Sequence, residues 1–155
     1  MSTELNERLD WNAVRWLREI WPHRFIIKGL LSLQDAEIAV GQGIDAIVLS
    51  NHGGRQLDGA ISPMEILFEV CSKVGSRITM MIDSGFRRGS DVVKALALGA
   101  KAVLVGRAAL YGLAAGGQAG VQHALFLLRN EIDRVLALIG CLSCGELSPD
   151  YLFRR

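Results

Sequence analysis

The sequence has almost no net charge. Its 17 Lys and Arg stand against 16 Asp and Glu, a formal balance of +1, and no basic tail or acidic block concentrates either sign. Such a chain offers no electrostatic footprint for nucleic acid. Cysteine is scarce and odd in number, three in 155 residues, with no apolar leader at the start. Free thiols, a reducing compartment and a cytoplasmic location are the expectation. Cys141 and Cys144 form a CxxC, but the further clustered ligands that zinc requires are missing, and a redox pair belongs beside a helix start in a βα pattern. No metal is expected. No apolar run approaches the ~20 residues needed to span a bilayer, so any membrane contact would be peripheral, at the inner face.

What is present is the material of one globular domain, 50% hydrophobic and 21% charged. Residues 1–10 are polar and aperiodic and read as a frayed lead-in to a domain over residues 11–155. Trp11, Val14, Leu17 and Trp21 follow helical spacing until Pro22 stops the helix, and their stripe is expected to bury against a sheet. Phe25 to Ile27 is a short apolar run ending in Lys28-Gly29; Ser32 and Asp35 then open a helix that Gly41 closes. Asp45 to Ser50 gives the next strand, and Ser62-Pro63-Met64-Glu65 supplies an N-cap, a first-turn proline and an N3 carboxylate. A third strand, Ile78 to Ile82, precedes a helix expected to be capped by Ser90 and ended by Gly99. A fourth, Ala102 to Val105, is followed by a glycine-rich segment, Gly112 to Gly120, read as a flexible linker, and by a long helix over Val121 to Leu138. The tail from Gly140 reads as loop with a last turn.

Continuous apolar strands alternating with helices indicate an α/β fold with a covered parallel sheet. Each strand ends in polar or glycine residues: Lys28, Ser50, Asp83 and Gly106. A doubly wound sheet concentrates its ligand residues at one switch point, whereas here every strand end contributes. That pattern favours the wall of a TIM (β/α)8 barrel, although such a barrel needs eight units and typically ~250 residues.

The strand ends also carry the chemistry. Directly after the second strand runs Ser50-Asn51-His52-Gly53-Gly54-Arg55, a glycine-hinged loop that turns a proton acceptor and a carboxylate-binding cation toward one ligand. Gly85 with Arg87 or Arg88, and Gly106-Arg107 one unit later, fit adjacent phosphate-binding turns. Lys28 faces the same mouth and could stabilise developing negative charge. A base also needs something to orient its far ring nitrogen; Asp58 is the nearest carboxylate in sequence, with nothing to show that it reaches. His23 and His123 have no clustered partners and read as structural.

SNHGGRQLD at Ser50 to Asp58, DSGFRRGSD at Asp83 to Asp91, KALALGA at Lys94 to Ala100 and VGRA at Val105 to Ala108 together resemble the FMN-dependent 2-hydroxy-acid dehydrogenases and oxidases. SPME, the serine in DSGF and the closing LSPDYL are most similar to the (S)-mandelate dehydrogenase branch, with the glycolate and lactate oxidase branches near. The resemblance implies the C-terminal half of a TIM barrel, strands five to eight, with FMN as cofactor and a mandelate- or lactate-like 2-hydroxy acid as substrate. It implies that Lys28 lies near the flavin N1 and O2 edge and that Ser50 hydrogen-bonds the flavin. His52 would be the base, and Arg55 would bind the substrate carboxylate. Asp83 would contact the ribityl chain, while Ser84, Gly85, Phe86 and Arg87, with Gly106 and Arg107, would hold the phosphate.

Family members carry a whole barrel, so the resemblance also implies that substrate-side groups and the aspartate orienting the base belong to a first half. The chain is therefore expected to be a fragment, inactive alone, that self-associates or pairs with a complementary N-terminal half-barrel. The competing expectation is a non-catalytic half-barrel that self-associates and binds FMN or another phosphate ligand.

Overall fold

The computed structural model describes residues 9–153, and positions 1–8 of the expected lead-in lie outside them. Asp10 does not fray: its carboxylate accepts the Ala13 N–H at 2.9 Å and caps helix α1, Trp11–Ile20. Four βα layers follow. Strands β1 (Ile26–Leu30), β2 (Ala46–Leu49), β3 (Thr79–Ile82) and β4 (Ala102–Val103) form one sheet, all neighbours parallel, in the order β1-β2-β3-β4. Helices α2 (Leu33–Gly41), α3 (Pro63–Val74) and α4 (Gly89–Ala97) make the crossovers, and α5 (Arg107–Ile139) closes the described chain before two short 3-10 turns. Spatial order equal to chain order is barrel-wall topology, as expected; a doubly wound sheet would reverse direction at a switch point.

The core lies between sheet and helices. Ile47 and Leu49 of β2 and Met80 and Ile82 of β3 meet Leu67, Val70 and Val74 of α3, all at 1% exposure or less. Each such side chain contributes about 1.5–3 kcal/mol on burial, and cutting Leu67 to alanine would cost about 2–5 kcal/mol. Because side chains alternate along a strand, the opposite parity faces away from the helices. There the register aligns Ile26, Ala46 and Thr79 in one row and Lys28, Val48, Met81 and Ala102 in the next. This is the inner face of the wall, and Ile26 stands 50% exposed on it. Ser50 and Asp83 extend the same parity, which brings them beside Lys28.

Helix α2 starts as expected, with Ser32 Oγ accepting the Asp35 N–H at 3.1 Å. At α3, Glu65 accepts the Ser62 N–H, also as expected. Other local expectations differ. Trp21 remains half exposed, its indole N–H on Arg24 O and its ring edge-on to His23, because α1 ends one residue before it and turns it outward; Trp11 and Val14 do pack on the core. Strand β4 stops at Val103, two residues short of the expected end. Helix α4 begins at Gly89, so Ser90 lies inside its first turn. Its N–H groups are met instead by Asp91, which accepts from Arg87 and Arg88, and by Glu131, which accepts from Gly89 at 2.7 Å and pairs with Arg88 at 3.0 Å.

The glycine-rich segment is no linker. Helix runs through it except at Gly116 and Gly117, where the backbone leaves helical geometry (Gly117 φ 57°, ψ −141°) and the chain folds back. Gly112 and Gly120 then meet so closely that a Cβ on Gly112 would lie 2.5 Å from Gly120 O. The glycines serve tight packing of two helical arms. The second arm ends at Gly140, φ 69°, where Cys141 N–H returns to Leu136 O at 3.0 Å in a Schellman-type stop. Cys141 is buried with Sγ toward Ser143 O, and Cys144 is exposed; both are free thiols.

Candidate active site

All four strands release their chains at one edge of the sheet, and a cleft of about 960 Å³ opens there. Lys28, His52, Arg55 and Asp83 line it, as do the turn from Ser84 to Arg87 and the pair Gly106-Arg107. Residues predicted from separate loops are thus brought to one side of one sheet. Ser50 is the exception among the expected site residues: it is fully buried beneath the cleft.

At the floor, Lys28 Nζ donates to Ser50 Oγ at 2.9 Å and pairs with Asp83 Oδ2 at 2.8 Å. Burial pushes the Asp83 carboxyl up, but hydrogen bonds from Lys28, Ser50 and Ser84 and the Lys28 charge outweigh it and hold the acid below its ordinary range. The lysine is thereby fixed within β1, two residues before its end. Ser50 Oγ also accepts the His52 N–H at 3.0 Å, joining the floor to the loop above.

The loop is under backbone tension. Among the described residues, the non-glycine positions with left-handed backbone are His52 (φ 55°) and Ser84 (φ 79°), both in this site. Side chains take up that region at a cost, and such positions gather where geometry matters. Gly29, φ 107°, leaves room for the imidazole: a Cβ there would lie 2.9 Å from His52 Nε2. A glycine inside a strand signals a bulge or a close approach, and Gly29 serves both, since the β1–β2 register shifts between Lys28 and Leu30. Asp58 does not serve His52. Its carboxylate accepts the neighbouring Gly59 N–H, and among the described residues no ion pair includes His52.

Among the described residues the ion pairs are Arg18–Asp45, Lys28–Asp83 and Arg88–Glu131. Arg55, Arg87 and Arg107 therefore face the cleft without a carboxylate partner, and Arg107 Nη2 donates to Gly53 O at 3.0 Å. At Gly85 and Gly106 a side-chain carbon would meet no other atom within 4 Å, so both backbones lie open to the cleft. Open glycine backbone, a helix start at Arg107 and unpaired guanidinium groups make a cradle for a phosphate. Leu104, Leu110 and Tyr111 add an apolar rim with no signal at a strand end, since two of them come from the start of α5. No group of His, Cys, Asp and Glu among the described residues could hold a metal ion.

A family model described as FMN-dependent dehydrogenase matches residues 1–154. The chain belongs to this family. It is 59% identical over 152 residues to (S)-mandelate dehydrogenase of Pseudomonas putida, an alignment covering 98% of this chain and 38% of that protein. It is 47% identical over 151 residues to L-lactate oxidase of a Nostoc species, covering 97% and 41%. A solved structure of monotopic membrane protein (S)-mandelate dehydrogenase superposes with TM-score 0.91 at 59% identity, over 95% of this chain and 39% of that one. The chain thus spans about two fifths of the length of these flavoprotein relatives. Its four strands correspond to part of an FMN-dependent dehydrogenase barrel. No helix among its described residues is long and apolar enough to cross a membrane.

Proposed function

We propose that this chain supplies the catalytic wall of an FMN-dependent oxidation of a 2-hydroxy acid, mandelate- or lactate-like, to the 2-oxo acid. The observation that carries the reading is the convergence of His52 and Arg55 with Lys28, Asp83, Gly106 and Arg107 on one cleft. The relatives' names supply the substrate class.

FMN, when bound, accepts the two electrons the substrate gives up. Gly85, Phe86, Arg87, Gly106 and Arg107 are the groups to hold its phosphate, with Ser84 part of the same turn. Asp83 lies nearby for a ribityl hydroxyl. Lys28, paired with Asp83, would set its ammonium where negative charge develops as the flavin is reduced. Ser50 acts through Lys28 and the His52 N–H, since its hydroxyl already takes both. Arg55 binds the substrate carboxylate, its planar fork suiting two oxygens. His52 takes a proton from the substrate; the oxidation removes two electrons and two protons in all.

The wall needs a counterpart. Strands β1 and β4 are the sheet's edges, and Ile26 and Leu104 stand exposed at 50% and 38%. Such edges and apolar surface favour pairing with a complementary half-barrel or with a second copy, and the 155 residues alone do not turn over. The location that goes with this reading is cytoplasmic, with peripheral contact at the inner membrane face. The test is to join the chain to a complementary first half from the mandelate dehydrogenase and load FMN. Bleaching of the flavin absorbance by mandelate or lactate, lost in His52→Ala, is the expected result; bleaching that persists in His52→Ala removes His52 from the chemistry.

A further inference from the structure

The Ser84 hydroxyl is fully committed. It donates to Asp83 Oδ1 at 2.8 Å and accepts the N–H groups of Asn51 at 3.3 Å and Gly53 at 3.2 Å. One donor and two acceptor sites are all that a hydroxyl has. Asn51 and Gly53 flank His52, so the end of β3 grips the histidine from both sides. Ser84 does this from φ 79°, a backbone conformation that glycine would occupy at no steric cost. A side chain kept where it is strained, with both of its accepting sites spent on the loop after β2 and its donor on Asp83, has a function that a turn alone does not explain.

The geometry points to Ser84 as a positioning residue for His52: it clasps the loop after β2 to Asp83, and through Asp83 to Lys28. This inference rests on the proposal that His52 is the base. The clasp couples the loop that carries the imidazole to the same carboxylate that pairs with the lysine, so His52 and Lys28 are held to one reference point. Gly53 N–H has a second acceptor, Asn51 Oδ1 at 3.0 Å. Among the hydrogen bonds of the described residues, Asn51 N–H has Ser84 alone.

The test uses amide hydrogen exchange on the 155-residue chain with Ser84→Gly and Ser84→Ala. Glycine removes both the hydroxyl and the backbone strain; alanine removes the hydroxyl and leaves the strain. The clasp predicts that both variants speed exchange at Asn51 by about tenfold, with a smaller effect at Gly53, while the amides of Ile47 and Met80 in the sheet keep the parent rate. It also predicts that the His52 ring resonances shift in both variants. Protection of Asn51 retained in Ser84→Gly, or acceleration spread equally over the sheet, would show a turn residue only and overturn the inference. In the completed FMN-loaded barrel, both variants should lower kcat more than they raise KM; a change in KM alone counts against positioning of the base. Exchange and resonance shifts involve no turnover. If His52→Ala kept its activity, the chemical reading would fall while the clasp stood, and unchanged exchange would do the reverse.

Discussion

The Nε2 of His52 lies 2.9 Å from the point where a side chain on Gly29 would begin. Two strand ends are thereby packed together without an intervening atom, and Gly29 at φ 107° also takes a backbone shape that other residues resist. Gly29→Ala should therefore displace the imidazole and cost about 1–3 kcal/mol of stability. Urea denaturation gives the second quantity, and flavin bleaching in the completed barrel gives the first, where a loss of about tenfold or more is expected. Parent-like values in both would mean that the loop absorbs the methyl group.

The Lys28–Asp83 pair makes stability depend on acid. Asp83 titrates below its ordinary value of 3.8 when folded, so its contribution is complete at pH values well above 3.8 and disappears as the pH falls through the lowered folded value. Asp83→Asn should be less stable than the parent by a constant margin from pH 5 to 7. That margin should shrink below pH 3.8. A margin that widened in acid would reverse the sign and contradict the pairing.

Thiol reagents should separate the cysteines. Burial pushes the Cys71 thiol up to about 11, with nearby Lys101 only partly opposing it, and Cys141 is buried. Cys144 is exposed. At pH 8 the native chain should take up one equivalent of an alkylating reagent, at Cys144, and the other two sites should react only after unfolding. Mass spectrometry of the labelled peptides reads this directly.

The fold-back of α5 depends on the absence of side chains where its arms touch. A Cβ on Gly120 would run into Gly112 O, so Gly120→Ala should cost about 1–3 kcal/mol through forced separation of the arms. Alanine at an ordinary helical site would stabilise the chain instead, so the sign of the change in melting temperature decides the matter.

Arg55→Lys keeps the charge and loses the fork. If Arg55 binds the substrate carboxylate, KM in the completed barrel should rise by the equivalent of about 1.5–3 kcal/mol with the smaller effect on kcat. Equal kinetics in the two forms would place the carboxylate elsewhere.

Much of this molecule follows from short-range chemistry. Apolar runs of strand length, the caps at Ser32 and Ser62, and polar residues at each strand end need only neighbours a few positions away, and they led to a parallel half-barrel with its chemistry at one mouth. The exceptions share a cause. Helical spacing extends the apolar stripe to Trp21, but the helix itself stops one residue short of it. Ser90 has the residue type of a cap, but Glu131 arrives from 42 residues away to take the Gly89 N–H. The four glycines of Gly112 to Gly120 have the composition of a linker, whereas contact between two helical arms rewards the missing side chains of Gly112 and Gly120. Asp83 beside Lys28, Gly29 beneath His52 and Ser84 gripping Asn51 and Gly53 likewise join residues on different strands. Period and capping act within a turn of the chain and can be read along it; hydrogen bonds and close contacts between strand ends exist only after folding has set those ends side by side.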